Sequence, residues 1–189
     1  YVYDLNSALV ARGSLIEMAS ILDRTRVESA DIFAHSMGTL VTMEGIVDAE
    51  KLGRLDRRIP INHIVLAAPD IDIDLFRTHL SFLPEPVRQK IYVLASQDDG
   101  ALRVSRLVAG GVPRVGAADT AELEQLGVTV IDLSSIRDEA SSSHNKFASS
   151  PEVVQLVGAA LENNGRFGSD GSDRLKEYVA NVPIRVLGN

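Results

Sequence analysis

The chain has 189 residues, 45% hydrophobic and 24% charged, an ordinary globular make-up sufficient for one core and one domain. Its 19 basic and 26 acidic side chains give a net charge of -7, which argues against a nucleic-acid surface and leaves no basic tract for an anionic membrane. With no cysteine there is no disulfide, thiolate nucleophile or cysteine-based zinc site, and no apolar run approaches the ~18 residues of a membrane span.

The opening Tyr1-Val2-Tyr3-Asp4 has neither an initiator methionine nor a signal-peptide pattern. The chain therefore reads as a fragment, with the compartment open and the cytoplasm slightly favoured. Asn6 or Ser7 is expected to cap a first helix, in which Leu9, Leu15, Ile16, Ala19 and Leu22 recur at helical intervals. A strand over 30–34 follows and turns sharply, at Ala34-His35-Ser36-Met37-Gly38, into a helix that runs to about Leu52 and stops at Gly53. Residues 61–68 form a near-continuous apolar run, as a strand buried on both faces requires, and Pro69 closes it.

The connector 71–86 carries Leu75, Phe76, Leu80, Phe82 and Leu83 between polar residues. It reads as an amphipathic crossover packing on the sheet, with a lid or acyl pocket as the alternative. Residues 91–95 and 128–133 are two more buried strands, giving four parallel strands and an α/β class with helices crossing between them. Ser150-Pro151-Glu152 opens a last helix with Val153, Leu156, Val157, Ala160 and Leu161 on one face, and Asn163-Asn164-Gly165 ends it. Residues 1–163 are the expected core. Residues 164–189, Gly/Ser/Asp-rich before an amphipathic stretch over 175–182, are the expected arm or tail.

A serine raised on a strand-to-helix turn needs a base, an acid to orient that base, and donors for an oxyanion. In hydrolases built on such a turn the chain order is serine, acid, histidine, each on a loop at the same sheet edge. Asp99, in the loop after the third strand, is the candidate acid, with Asp98 and Asp70 as alternatives. His144, in the serine-rich loop before the last helix, is the candidate base. Asp72 also follows the second strand, and Asp70 is expected to cap the connector helix.

His35 should point to the other side of the turn from Ser36. His63 and His79 lie in a strand and the connector, and none of these histidines has zinc-ligand spacing, so no metal is expected. Arg103, Arg106 and Arg114 read as surface charges pairing with the acidic excess, with a substrate carboxylate as the rarer use.

These residues together resemble a bacterial α/β-hydrolase family of poorly characterised esterase/lipase-like proteins. The likeness rests on Tyr3-Asp4, the Ala34 to Gly38 turn, Leu66-Ala67-Ala68-Pro69-Asp70-Ile71-Asp72, Asp99-Gly100-Ala101-Leu102 with Ser105-Arg106, Arg114-Val115-Gly116 and Ser143-His144. It covers most of the chain. It implies an α/β-hydrolase fold with amino-terminal strands missing from this chain, a Ser36-Asp99-His144 triad and no cofactor. Of the two oxyanion donors, it implies that only the Met37 N–H lies here.

The expected activity is cleavage of a small-molecule ester, thioester or amide through an acyl-enzyme, or acyl transfer by the same triad. The alternative is a catalytically silent α/β-hydrolase-fold module for binding or assembly, as a homo-oligomer or paired with the missing amino-terminal segment. Nucleic acid and a membrane span are not expected.

Overall fold

The computed structural model describes residues 2–22, 24–55, 60–136, 143–162 and 184–188. Four strands lie parallel in chain order: β1 (Ala30–His35), β2 (Ile61–Ala67), β3 (Ile91–Ala95) and β4 (Thr129–Asp132). A fifth, β5 (Arg185–Leu187), pairs antiparallel with β4. β5 lies within residues 164–189, where an arm or tail and no strand is expected. Three residues are too few to show an alternating pattern, and the segment is held by its pairing with β4, by the buried Ile184 and by Val186 and Leu187, which pack on the two core layers. The amphipathic stretch over 175–182 lies outside the described residues.

Parallel neighbours need crossovers. α2 (Gly38–Lys51) joins β1 to β2; α3 (Ile73–Ser81) and the short α4 (Glu85–Arg88) join β2 to β3; α5 (Gly100–Val108) and α6 (Thr120–Glu124) lie between β3 and β4. Strand alternation then sorts the apolar runs into two layers. Ile64, Leu66, Ile91, Val93 and Val130 pack with Leu40, Met43, Ile46, Phe76, Leu80 and Leu123 from α2, α3 and α6. On the other face, Val65, Ala67, Tyr92, Leu94 and Ile131 pack with Val153, Leu156 and Val157 of α7 (Pro151–Glu162). This double burial is why these strands are continuously apolar in sequence.

α1 (Val2–Leu22) lies on α2, with Leu15 against Gly45. The expected cap at Asn6 or Ser7 is not used, because the helix already runs from Val2 and no glycine or proline interrupts it before Gly13. Leu9, Leu15, Ile16 and Leu22 are half-buried, but Ala19 is exposed. α2 ends as expected, with Gly53 at φ 61 beyond its last turn.

The connector packs on the sheet through Ile73, Phe76, Leu80 and Leu83, leaving Leu75 and Phe82 exposed. The residue that caps α3 is Asp72, which accepts from the N–H of Asp74 (2.9 Å) and Leu75 (3.3 Å), and not Asp70 as expected. A cap must directly precede the first helical residue, and here that residue is Ile73.

Gly116 crosses the carboxyl ends of β2 and β3, donating to Pro69 O (2.9 Å) and accepting from Ser96 N (2.7 Å). A Cβ there would stand 2.7 Å from the backbone at Ala68 and Pro69 and 2.6 Å from Leu102 Cδ1. Gly116→Ala is therefore expected to destabilise the fold by about 1–3 kcal/mol. Urea denaturation checks this, and an unchanged midpoint would contradict so close an approach.

Candidate functional site

The carboxyl ends of the parallel strands form one edge, and Ser36, Asp99 and His144 converge there. Ser36 follows β1 directly and has φ 52, in the left-handed region that side chains other than glycine's avoid. Neighbours pin it. Its N–H donates to Ala67 O (3.0 Å), and its carbonyl accepts from the N–H of Thr39 (3.1 Å), the hydroxyl of Thr39 (2.6 Å) and the N–H of Asp70 (3.3 Å). The strain thus sits on Ser36 itself. Gly38, two residues on, is not crowded: a Cβ there would meet nothing within 4 Å.

His144 lies in a single turn of 3-10 helix (Ser143–Asn145). Its Nε2 is 3.0 Å from Ser36 Oγ and its Nδ1 is 2.8 Å from Asp99 Oδ2. Asp99 is fully buried, 0% exposed, at the amino end of α5, where its Oδ1 accepts from Leu102 N (3.0 Å). One carboxylate oxygen therefore anchors the acid to a helix end and the other holds the imidazole.

A carboxylate only accepts, so the His144 proton is assigned to Nδ1, leaving Nε2 as acceptor for the Ser36 hydroxyl. The hydrogen bond to Asp99 raises the His144 pKa above the ordinary imidazole value against the opposing effect of burial, and the charges of Asp99 and Asp70 add to the rise.

A family model described as an alpha/beta hydrolase of unknown function (DUF900) matches residues 1–160. The chain belongs to this family. No curated protein and no solved structure matched it.

In this α/β hydrolase Asp99, and neither Asp98 nor Asp70, is brought against His144. Asp98 turns the opposite way, to Lys146 Nζ at 2.7 and 2.8 Å. Asp70 accepts from the Ser105 hydroxyl (2.6 Å) and lies 3.3 Å from Arg114 Nε. Arg114 is thus no surface charge. It is 7% exposed, because residues 113–115 run beside 71–73, with Val115 N donating to Ile71 O (2.9 Å) and Ile73 N to Pro113 O (3.1 Å). Arg103 and Arg106 are exposed and donate to the carbonyls of Gln97 (3.3 Å) and Gly111 (2.7 Å).

His35 was expected to face away from the site, and it does not. Two residues beyond Phe33 on the same strand face, its ring lies 4.8 Å from that of His144 and 4.6 Å from Phe147, while Phe33 lies 5.6 Å from Phe147. Burial lowers the His35 pKa and the neighbouring His144 pushes the same way, against the raising effect of a hydrogen bond to the His144 backbone and of the Asp99 charge.

His63 and His79 are structural, paired with Asp31 (2.7 Å) and Glu44 (2.9 Å). Among the described residues no cluster of three histidine or carboxylate side chains is placed to hold a metal ion, and no helix is long and apolar enough to cross a membrane. The buried Lys146 was missed in sequence, although a lysine two residues from the base, matched by a second aspartate beside the acid, is a visible signal.

Proposed function

We propose that this α/β hydrolase is a serine hydrolase that cleaves a carboxylic ester, or a thioester or amide, through an acyl-enzyme on Ser36. The observation that carries this reading is the unbroken bridge from Ser36 Oγ through His144 to Asp99. As Oγ attacks the substrate carbonyl carbon, its proton passes to His144 Nε2, and Asp99 holds the tautomer and the imidazolium.

The oxyanion is met by the Met37 N–H at the amino end of α2, a donor with no hydrogen bond among the described residues, where the helix dipole adds to its pull. Collapse expels the alcohol with the proton from His144. Water, deprotonated by the same nitrogen, then attacks the acyl group, releasing the acid and regenerating Ser36.

Esters are the first class to test, because an alcohol leaves more readily than an amine. The full chain, mixed with a series of p-nitrophenyl esters, is expected to release p-nitrophenol catalytically; no turnover on any acyl length would count against the reading.

The pH dependence has a definite sign. Protonated His144 cannot accept the serine proton, and its pKa is raised, so kcat/KM is expected to climb through a limb centred above the ordinary imidazole value of about 6.5. A limb centred below that value would contradict the role given to Asp99.

A further inference from the structure

Two residues past His144, the side chain of Lys146 turns inward and is 2% exposed. Its ammonium reaches Asp98 Oδ1 (2.7 Å), Asp98 Oδ2 (2.8 Å), Ser96 Oγ (3.0 Å) and the Leu133 carbonyl (3.3 Å). Ser96 Oγ also bonds to Asp98 Oδ1. Ser96 and Asp98 lie in the loop after β3, and Leu133 directly follows β4. Asp98 is covalently joined to Asp99. One buried cation therefore ties the segment that carries His144 to the loop that carries Asp99.

We propose that Lys146 is a positioning residue that fixes the His144 imidazole against Asp99. The proposal rests on the reading of His144 as the base. The physical reason is the cost of a buried charge. An ammonium sheltered from water is tolerated only with its donors satisfied, so a shift of the His144 segment by about an ångström would strip it of partners and is strongly opposed. An apolar side chain at this position would slide at little cost and leave the imidazole less well held. Asp98 is the opposite half of the device: its side chain is 49% exposed and bonded to Lys146, so it contributes little to the core.

The test uses the full chain with Lys146→Met, Asp98→Ala and the double variant. Three readouts are taken: thermal midpoint, kcat and KM on a p-nitrophenyl ester, and the ring 15N shifts of His144, assigned by difference from His144→Ala. In the parent chain the ring should occupy the single tautomer protonated on Nδ1. In both single variants kcat should fall roughly 10- to 100-fold with KM little changed, the scale of a small misplacement of a reacting group. The 15N shifts should move toward a mixture of tautomers, and the double variant should be no worse than the weaker single one, as expected for two ends of one contact.

A folded variant with parental kcat and parental 15N shifts overturns the proposal. So does a fall in rate with unmoved shifts, since Lys146 would then act on something other than the imidazole. Should Lys146→Met fail to fold, Asp98→Ala decides alone. If the parent chain turns over no ester, the catalytic reading fails while the 15N shifts still decide whether Lys146 orders the ring.

Discussion

Ser36→Ala is expected to lower kcat by a factor on the order of 10⁶, leaving only the residual acceleration that binding and the oxyanion donor provide. The loss should appear in kcat rather than KM, because Oγ forms its decisive bond in the transition state. Stability should hardly change. Among the described residues the Ser36 side chain hydrogen-bonds to His144 alone, and alanine inherits the same backbone at φ 52. Ser36→Gly separates the strain from the chemistry: equally inactive, it should be more stable than Ser36→Ala by about 1 kcal/mol, because glycine adopts the left-handed region without the Cβ penalty. Steady-state kinetics with denaturant unfolding check both halves. An alanine variant that retains activity, or one that fails to fold, would contradict them.

Asp99→Asn is expected to lower kcat by roughly 10⁴ while keeping most of the stability. Its amide oxygen can still accept from Leu102 N and cap α5, but the group opposite His144 no longer carries a charge and can offer an N–H. The imidazole then loses the partner that fixes its tautomer. The pH limb also moves. The Asp99 hydrogen bond is the largest cause of the raised His144 pKa, and burial opposes it, so removing the carboxylate shifts any remaining activity to a more acidic limb. Asp99→Ala should lose as much activity and, in addition, about 1 kcal/mol from the missing cap. Rate-pH profiles of the variants decide this; a limb that stays in place would mean that another group holds the imidazole.

The elements at the site were legible because each leaves a local signal. The turn at Ser36 is spelled by small residues around a serine between an apolar strand and a helix. The order of Ser36, Asp99 and His144 along the chain follows from strands that lie side by side in sequence order. What sequence left open was decided by contacts between segments far apart.

Asp98 and Asp99 are adjacent, and only the start of α5 settles which of them caps the helix and meets His144. Arg114 looked like a surface charge because nothing local shows that residues 113–115 run beside 71–73. His35 was misplaced because its packing depends on where Phe147 and His144 come to rest. β5 and the start of α1 were missed for the opposite reason, one being too short for a pattern and the other lacking a break where a cap was sought.

The most direct measurement of whether Ser36 is an activated nucleophile is labelling of the native full chain with a fluorophosphonate probe, read by peptide mass mapping. The expected result is one adduct, on Ser36, with expulsion of fluoride, absent from Ser36→Ala and from the chain unfolded in denaturant. A native chain that stays unlabelled, or that is labelled equally after Ser36→Ala, would contradict the serine hydrolase reading.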